Sequence, residues 1–364
     1  MSVTDPQSNN FTVVVGTYTQ SMPHVEGKGE GIHLLNFDTA SGQLSPVTVQ
    51  AAVNPTYLAV SADRSRVYAV REVTAKVGAG VSTYALDTAR GTLTLLRDTP
   101  TPGSWPCHVS VDDSLPLLLV SNYLSGEVLA LPLDAQRVPA GAPAVLAGAG
   151  TGPNAERQDG PHAHCALVSP DRRHVYIADL GADRVTRHPL AGGSGMPRQE
   201  PDLVLPAAPG AGPRHLAFGP AGRCLLVNYE LSSTLRMYRL DADGAASLSS
   251  EISSLPTGFD GVSYASAIRL HPSGRIVYVG NRGDDSVFAA RVDEQAGTLT
   301  PLGHWPAGGA APRDLAVSPD GRYLLAASQN DGFIRVFSID PQTGELEFTG
   351  HDYPIRNAVC VQFA

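Results

Sequence analysis

The chain has 364 residues, 42% of them hydrophobic, with 37 Gly and 29 Pro, a composition that starves long helices and supplies turns to a globular, almost wholly β protein. A formal net charge of −9, from 26 basic and 35 acidic residues, excludes a general nucleic-acid surface, which needs clustered Lys and Arg. The opening Met1-Ser2-Val3-Thr4-Asp5-Pro6 lacks the basic and apolar regions of a signal peptide, and no apolar run reaches membrane-spanning length. A cytoplasmic protein without a membrane partner is expected. Cys107, Cys165, Cys224 and Cys360 are scattered, with no CxxC spacing, and are expected to be free and mostly buried.

A polar leader over residues 1–10, expected to be flexible, precedes two strands, Thr12 to Tyr18 and Gly31 to Asp38. Between them, Gly27-Lys28-Gly29-Glu30-Gly31 is no phosphate loop, because no strand and helix flank it in the required order. Asp38 to Leu44 is a turn into an outer strand, echoed at Asp87 to Leu93 and at Asp340 to Leu346. A second kind of turn recurs more regularly. Ser61-Ala62-Asp63-Arg64, Val111-Asp112-Asp113-Ser114, Ser169-Pro170-Asp171-Arg172, Gly219-Pro220-Ala221-Gly222, His271-Pro272-Ser273-Gly274 and Ser318-Pro319-Asp320-Gly321 each stand between two short apolar runs. Successive reference positions, at Ala62, Asp113, Pro170, Pro220, Pro272 and Pro319, lie 51, 57, 50, 52 and 47 residues apart.

Repeats of this length, built of short strands and turns, specify an all-β fold: a seven-bladed β-propeller of four-stranded antiparallel blades in one domain. The first blade lacks a strand at its start. The apolar run Asn357 to Phe363 can supply it, and pairing of the N- and C-terminal strands then closes the ring without an unpaired inner edge.

The hairpin around Pro220 carries Arg214 at the start of its first strand and Glu230 at the end of its second, sixteen residues apart. In an antiparallel pair both emerge at the end away from the turn. Thr56, Cys107, His164, Ser266 and Arg313 occupy the position of Arg214 in other repeats, and Glu72, Tyr123, Leu180, Arg282 and Gln329 that of Glu230. His108, Asn122, Asp179, His215 and Asn281 are their neighbours. Because first strands line the channel of a propeller, these residues are expected to ring one mouth. Strand stability does not call for imidazole, guanidinium and carboxylate groups there, and such convergence is the mark of a ligand site.

Plainer roles stand beside this one. Arg214 and Glu230 also suit an ion pair tying two strand ends. His162 and His164 alternate with period two and suit a metal pair, but no third ligand is apparent, so no metal and no other cofactor are expected. Trp105 and Trp305, each before a proline, are expected to pack rather than bind.

Gly210-Ala211-Gly212-Pro213-Arg214-His215, Asn228-Tyr229-Glu230-Leu231-Ser232-Ser233, the His164 to Pro170 run, Asn281-Arg282-Gly283 and Ala311-Pro312-Arg313-Asp314 resemble, in order, the motifs of the seven-bladed propeller lactonase family. That family includes the bacterial propeller-type 6-phosphogluconolactonases and the fungal 3-carboxy-cis,cis-muconate lactonizing enzyme. Tyr229 departs from it, since members often have Asn before the Glu. The resemblance implies a functional set of His164, Arg214, Arg282 and Glu230. It implies opening of an anionic sugar lactone, or alternatively muconate-type cycloisomerisation, and a non-catalytic interaction scaffold is the reading from another class. For a lactone, His164 or Glu230 would accept the proton of water, with Arg214 at the oxyanion and Arg282 with Arg313 on the substrate's anion. His162, His215, Glu72, Asn122 and Gln329 complete the expected substrate-binding set.

Overall fold

The computed structural model describes residues 10–112, 114–192, 195–241 and 244–364. The expected leader, apart from Asn10, and the turn reference Asp113 lie outside the described residues. Seven four-stranded antiparallel sheets follow one another along the chain. Their innermost strands are Ala358–Phe363, Leu58–Val60, Pro106–Asp112, Ala163–Val168, Pro213–Phe218, Tyr264–Leu270 and Pro312–Val317. Each packs beside the next, and Pro312–Val317 meets Ala358–Phe363, which meets Leu58–Val60, so the circle is closed.

Closure is made as the terminal strands imply. Ala358–Phe363 pairs antiparallel with Asn10–Thr17, with Val13 opposite Phe363 and Val15 opposite Val361, and the first blade continues outward through Ile32–Asp38 to Gln43–Gln50. The N-terminal segment therefore acquires its fourth strand from residues more than three hundred positions away.

Burial falls from the inside of each blade to its rim. The second strand Cys224–Tyr229 is buried at every position, because both of its faces meet neighbouring blades, whereas the rim strand Gln43–Gln50 is largely exposed. The two-residue period divides Cys224–Tyr229 between two interfaces. Leu225, Val227 and Tyr229 pack with Cys165 and Tyr176 of the preceding blade, while Cys224 and Leu226 pack with Val277 and Phe288 of the following one. Tyr229, the departure from the family pattern, is such a packing residue: its hydroxyl shares a 2.8 Å hydrogen bond with that of Tyr238.

The recurrent turns have one backbone requirement. Their fourth residue sits in the left-handed region at Arg64, Arg172, Gly222, Gly274 and Gly321, with φ of 58°, 55°, 67°, 71° and 73°. Glycine is the residue that adopts it without strain, which explains why three of these repeats carry it. In the Ser-Pro-Asp copies the serine hydroxyl donates to the aspartate, at 2.5 Å both for Ser169 to Asp171 and for Ser318 to Asp320.

Away from these turns, six of the seven inner strands carry a break in register against their neighbour. The unpaired residues are Val359, Cys107, His164, Arg214, Ser266 with Ala267, and Arg313. Five of these bulges thus fall on the position of Arg214 in the repeat. An extra residue bends the strand and re-aims its side chain: Cys107, His164 and Arg313 line the mouth of the channel, and Arg214 reaches Glu230 there.

Candidate active site

At the channel end opposite the recurrent turns lies a cavity of about 620 Å³, within the size range of small-molecule sites. His164, Glu230, Arg282, Arg313, His162 and Glu72 line it, as the repeat register implies. Arg214 lies directly beneath, 3% exposed, and His215 is packed deeper, its ring 5.3 Å from that of His164 and 5.5 Å from that of His108. Two expected residues are elsewhere. Asn122 is fully buried under the backbone of Gly103, where a Cβ would come within 2.3 Å of its amide. The side chain of Gln329 turns to its neighbour, donating to Asn330 Oδ1 at 3.1 Å. Both belong to strand ends whose side-chain direction is set by the adjoining loop, which the repeat does not encode.

Glu230 anchors one side of the cavity. Its Oε1 accepts from Arg157 at 2.5 Å, and its Oε2 pairs with Arg282 at 2.8 Å and with Arg214 Nε at 2.9 Å. Arg214 also donates to the Ser266 carbonyl, tying this blade to the next. The expected strand-end ion pair and the expected cavity lining are therefore the same interaction. Burial pushes the Glu230 carboxyl up, but Arg282, Arg157 and Arg214 together overcome it and hold it well below its ordinary value. Burial also lowers Arg282 to about 10, which leaves it a cation at neutral pH.

The other side is arranged differently. Glu72 is 4% exposed and accepts from the Tyr18 hydroxyl, at 3.1 Å and 3.2 Å to its two oxygens, and from the Thr56 hydroxyl. Arg313 donates to the same Tyr18 oxygen at 3.2 Å and lies over the tyrosine ring. Burial raises the Glu72 carboxyl, with Arg313, Thr56 and Tyr18 opposing. His164 stands between the two sides. Burial and then Arg214 push its imidazole well below the ordinary value, so it is neutral, and among the described residues its buried Nδ1 has no partner. His162 stacks on Tyr123 with ring centres 4.5 Å apart, and its Nδ1 lies 2.8 Å from the Tyr123 carbonyl oxygen.

The repeat register read along the sequence does not reach Arg157, His24 or Tyr264, which come from loops between blades or ahead of a bulge, nor Tyr18, which holds the Glu230 position of the first blade but has its inner strand at the other end of the chain. One signal pointed to Arg157: the longest repeat spacing, 57 residues, spans the insertion that carries it. That insertion is fixed locally, with Asn154 accepting from the backbone of Glu156, Arg157 and Gln158, while Gln158 Nε2 donates to the Leu180 carbonyl at 2.9 Å. Trp105 corrects its expected packing role, since it lines the cavity in a left-handed conformation with φ of 54°. Trp305 packs against an inter-blade core as expected. All four cysteines are free and buried. Among the described residues no group of three or more His, Cys, Asp or Glu side chains is placed to hold a metal ion.

A closed seven-bladed ring with an arginine-rich cavity at one mouth defines a propeller of the lactonase class, and the chain belongs to the family described as Lactonase, 7-bladed beta-propeller, which it matches over residues 12–363. It is 34% identical over 353 residues to the 6-phosphogluconolactonase of Bacillus subtilis (strain 168), covering 96% of this chain and 97% of that relative. It is 29% identical to the 6-phosphogluconolactonase of Formosa agariphila, over 96% of this chain and 98% of the relative. Among solved structures, the periplasmic gluconolactonase of Pseudomonas aeruginosa superposes with a TM-score of 0.89 at 30% identity, covering 98% of this chain and 99% of that one.

Proposed function

We propose that the protein is a lactone hydrolase of the 6-phosphogluconolactonase type, opening an anionic sugar lactone at this cavity. The carrying observation is the cluster of guanidiniums around a small-molecule space: Arg157, Arg282 and Arg313 line it and Arg214 underlies it, with Glu230 and Glu72 buried beside them and the exposed Glu156 and Asp159 at the rim. Guanidinium groups suit both the phosphate of such a substrate and the oxyanion that develops at the lactone carbonyl. Arg313 is the best placed for an incoming anion. Among the described residues it has no ion pair within 4.0 Å, and its Nη2 rests on the neutral Tyr18 hydroxyl. Glu230 serves as the anchor that fixes Arg157, Arg214 and Arg282, and neutral His164 offers a hydrogen bond to substrate or water. The homologues named 6-phosphogluconolactonase support the same reaction.

The location proposed is the cytoplasm, supported by four unpaired cysteines. Among the described residues no helix is long and apolar enough to cross a membrane.

The test is substrate depletion with 6-phosphogluconolactone, with carboxymuconate as the alternative substrate, beside a thermal shift with 6-phosphogluconate. Hydrolysis of the lactone and a rise in Tm that Arg282→Ala and Arg313→Ala abolish support the proposal; a scaffold would give neither. Turnover of carboxymuconate alone would replace hydrolysis by cycloisomerisation.

A further inference from the structure

Opening a lactone with water requires an acceptor for the water's proton, and three groups in the cavity have the chemistry: Glu230, His164 and Glu72. Glu230 is committed to three guanidiniums at 2.5, 2.9 and 2.8 Å, and protonating it would leave those cations without their counter-charge. His164 is a buried imidazole beside Arg214, an environment that disfavours its cation and makes it a weak acceptor. Glu72 is held instead by two hydroxyls, Tyr18 and Thr56, and among the described residues forms no ion pair within 4.0 Å. Hydroxyl donors orient a carboxylate without cancelling its charge.

We propose that Glu72 is the general base of the hydrolysis, with Tyr18 and Thr56 as positioning residues that aim its carboxylate into the cavity. The assignment rests on the lactonase reading. In the reaction, Glu72 takes a proton as water oxygen bonds to the lactone carbonyl carbon, and the carbonyl oxygen becomes an oxyanion beside Arg313. Collapse of the tetrahedral species breaks the bond from that carbon to the ring oxygen. The proton held on Glu72 passes to the departing ring oxygen, leaving a hydroxyl and a carboxylic acid, which ionises in solvent.

Every charged or titratable group facing Glu72 fits this role. Arg313 and Arg214 are cations that moderate its basicity, and burial, the largest influence, raises it. Tyr18 stays a protonated donor because burial pushes its phenol up, and the nearby Cys107 thiol is likewise pushed up by burial. His24 reaches the far side of Tyr18, its Nε2 at 3.2 Å from the phenol oxygen.

The experiment is the pH profile of kcat and KM for hydrolysis of 6-phosphogluconolactone by the purified protein, corrected for spontaneous opening. Glu72→Gln is expected to lower kcat by about 10²-fold or more, with KM changed by less than about twofold, and to erase the acid limb of kcat. Tyr18→Phe and Thr56→Val are expected to keep turnover but shift that limb to higher pH, since each removes a donor that favours the charged carboxylate. A merely structural role would scale activity at every pH without moving the limb. If Glu72→Gln does not fold, the two limb shifts decide. An acid limb that survives Glu72→Gln, or that stays in place in both hydroxyl variants, overturns the assignment while the lactonase reading stands. A wild-type protein that opens no lactone removes both.

Discussion

Glu230 and Glu72 share one cavity and are almost equally buried, 3% and 4% exposed, yet their environments drive them in opposite directions. Three guanidiniums hold Glu230 as an anion, whereas burial raises Glu72 and its two hydroxyl partners, with Arg313, only oppose that rise. The difference teaches that burial alone does not set the charge of a carboxyl group. The number and charge of its hydrogen-bond partners do, and separated values in one site mark separate tasks.

The largest effect that would break this contrast is on stability. Glu230→Gln strands the 3% exposed Arg214 without its counter-charge and is expected to cost about 3–5 kcal/mol in urea denaturation. Glu72→Gln keeps neutral partners and is expected to cost no more than about 1–2 kcal/mol. Equal losses, or the reverse order, would show that the arginines do not depend on Glu230.

The pH dependence of those same differences sharpens the contrast. Glu230 titrates below its ordinary 4.5 in the folded protein, so its stabilisation is present above that pH and is lost as pH falls through the folded value. Glu72 titrates above 4.5, so its contribution is present below that pH and is lost as pH rises through the folded value. Denaturation across acid pH should therefore shrink the gap between wild type and Glu230→Gln on acidification. The Glu72→Gln variant should instead gain on wild type as pH rises. Parallel profiles would contradict the opposed environments.

Smaller effects are expected at the arginines that line the cavity. Arg157 is 32% exposed, so Arg157→Ala should raise KM by about tenfold while changing stability by less than about 1 kcal/mol. Smallest of all, Tyr123→Phe removes only the long contacts of 3.3 and 3.4 Å to Arg157, and its KM should stay within about twofold of wild type.

Most of the propeller was legible because its repeats are self-similar: turn residues at fixed offsets, apolar pairs of strands, and an orphan run at each end of the chain. The family motifs and the sixteen-residue interval between Arg214 and Glu230 carried the anchor side of the cavity. The Glu72 side was legible only in part. Glu72 occupies the register of Glu230, and so does Tyr18, which binds it: its N–H donates to the Asn357 carbonyl as that of Glu230 does to Gly212, but its inner strand stands at the other end of the chain, so no sixteen-residue interval marks it. Asn122 and Gln329 share the register and miss the cavity, because a covering loop and an adjacent asparagine claim their side chains.

The sequence by itself determined the ring, its closure by the two ends of the chain, and which strand ends meet at the mouth, because two-residue periodicity and left-handed turns are local properties. Only the tertiary structure decided that bulges re-aim those strand ends, that the Arg157 insertion folds back onto Glu230, and that the hydrogen bonds to Glu72 come from hydroxyls instead of guanidiniums. Those outcomes depend on contacts between distant segments, whose geometry follows from how seven blades pack around one axis.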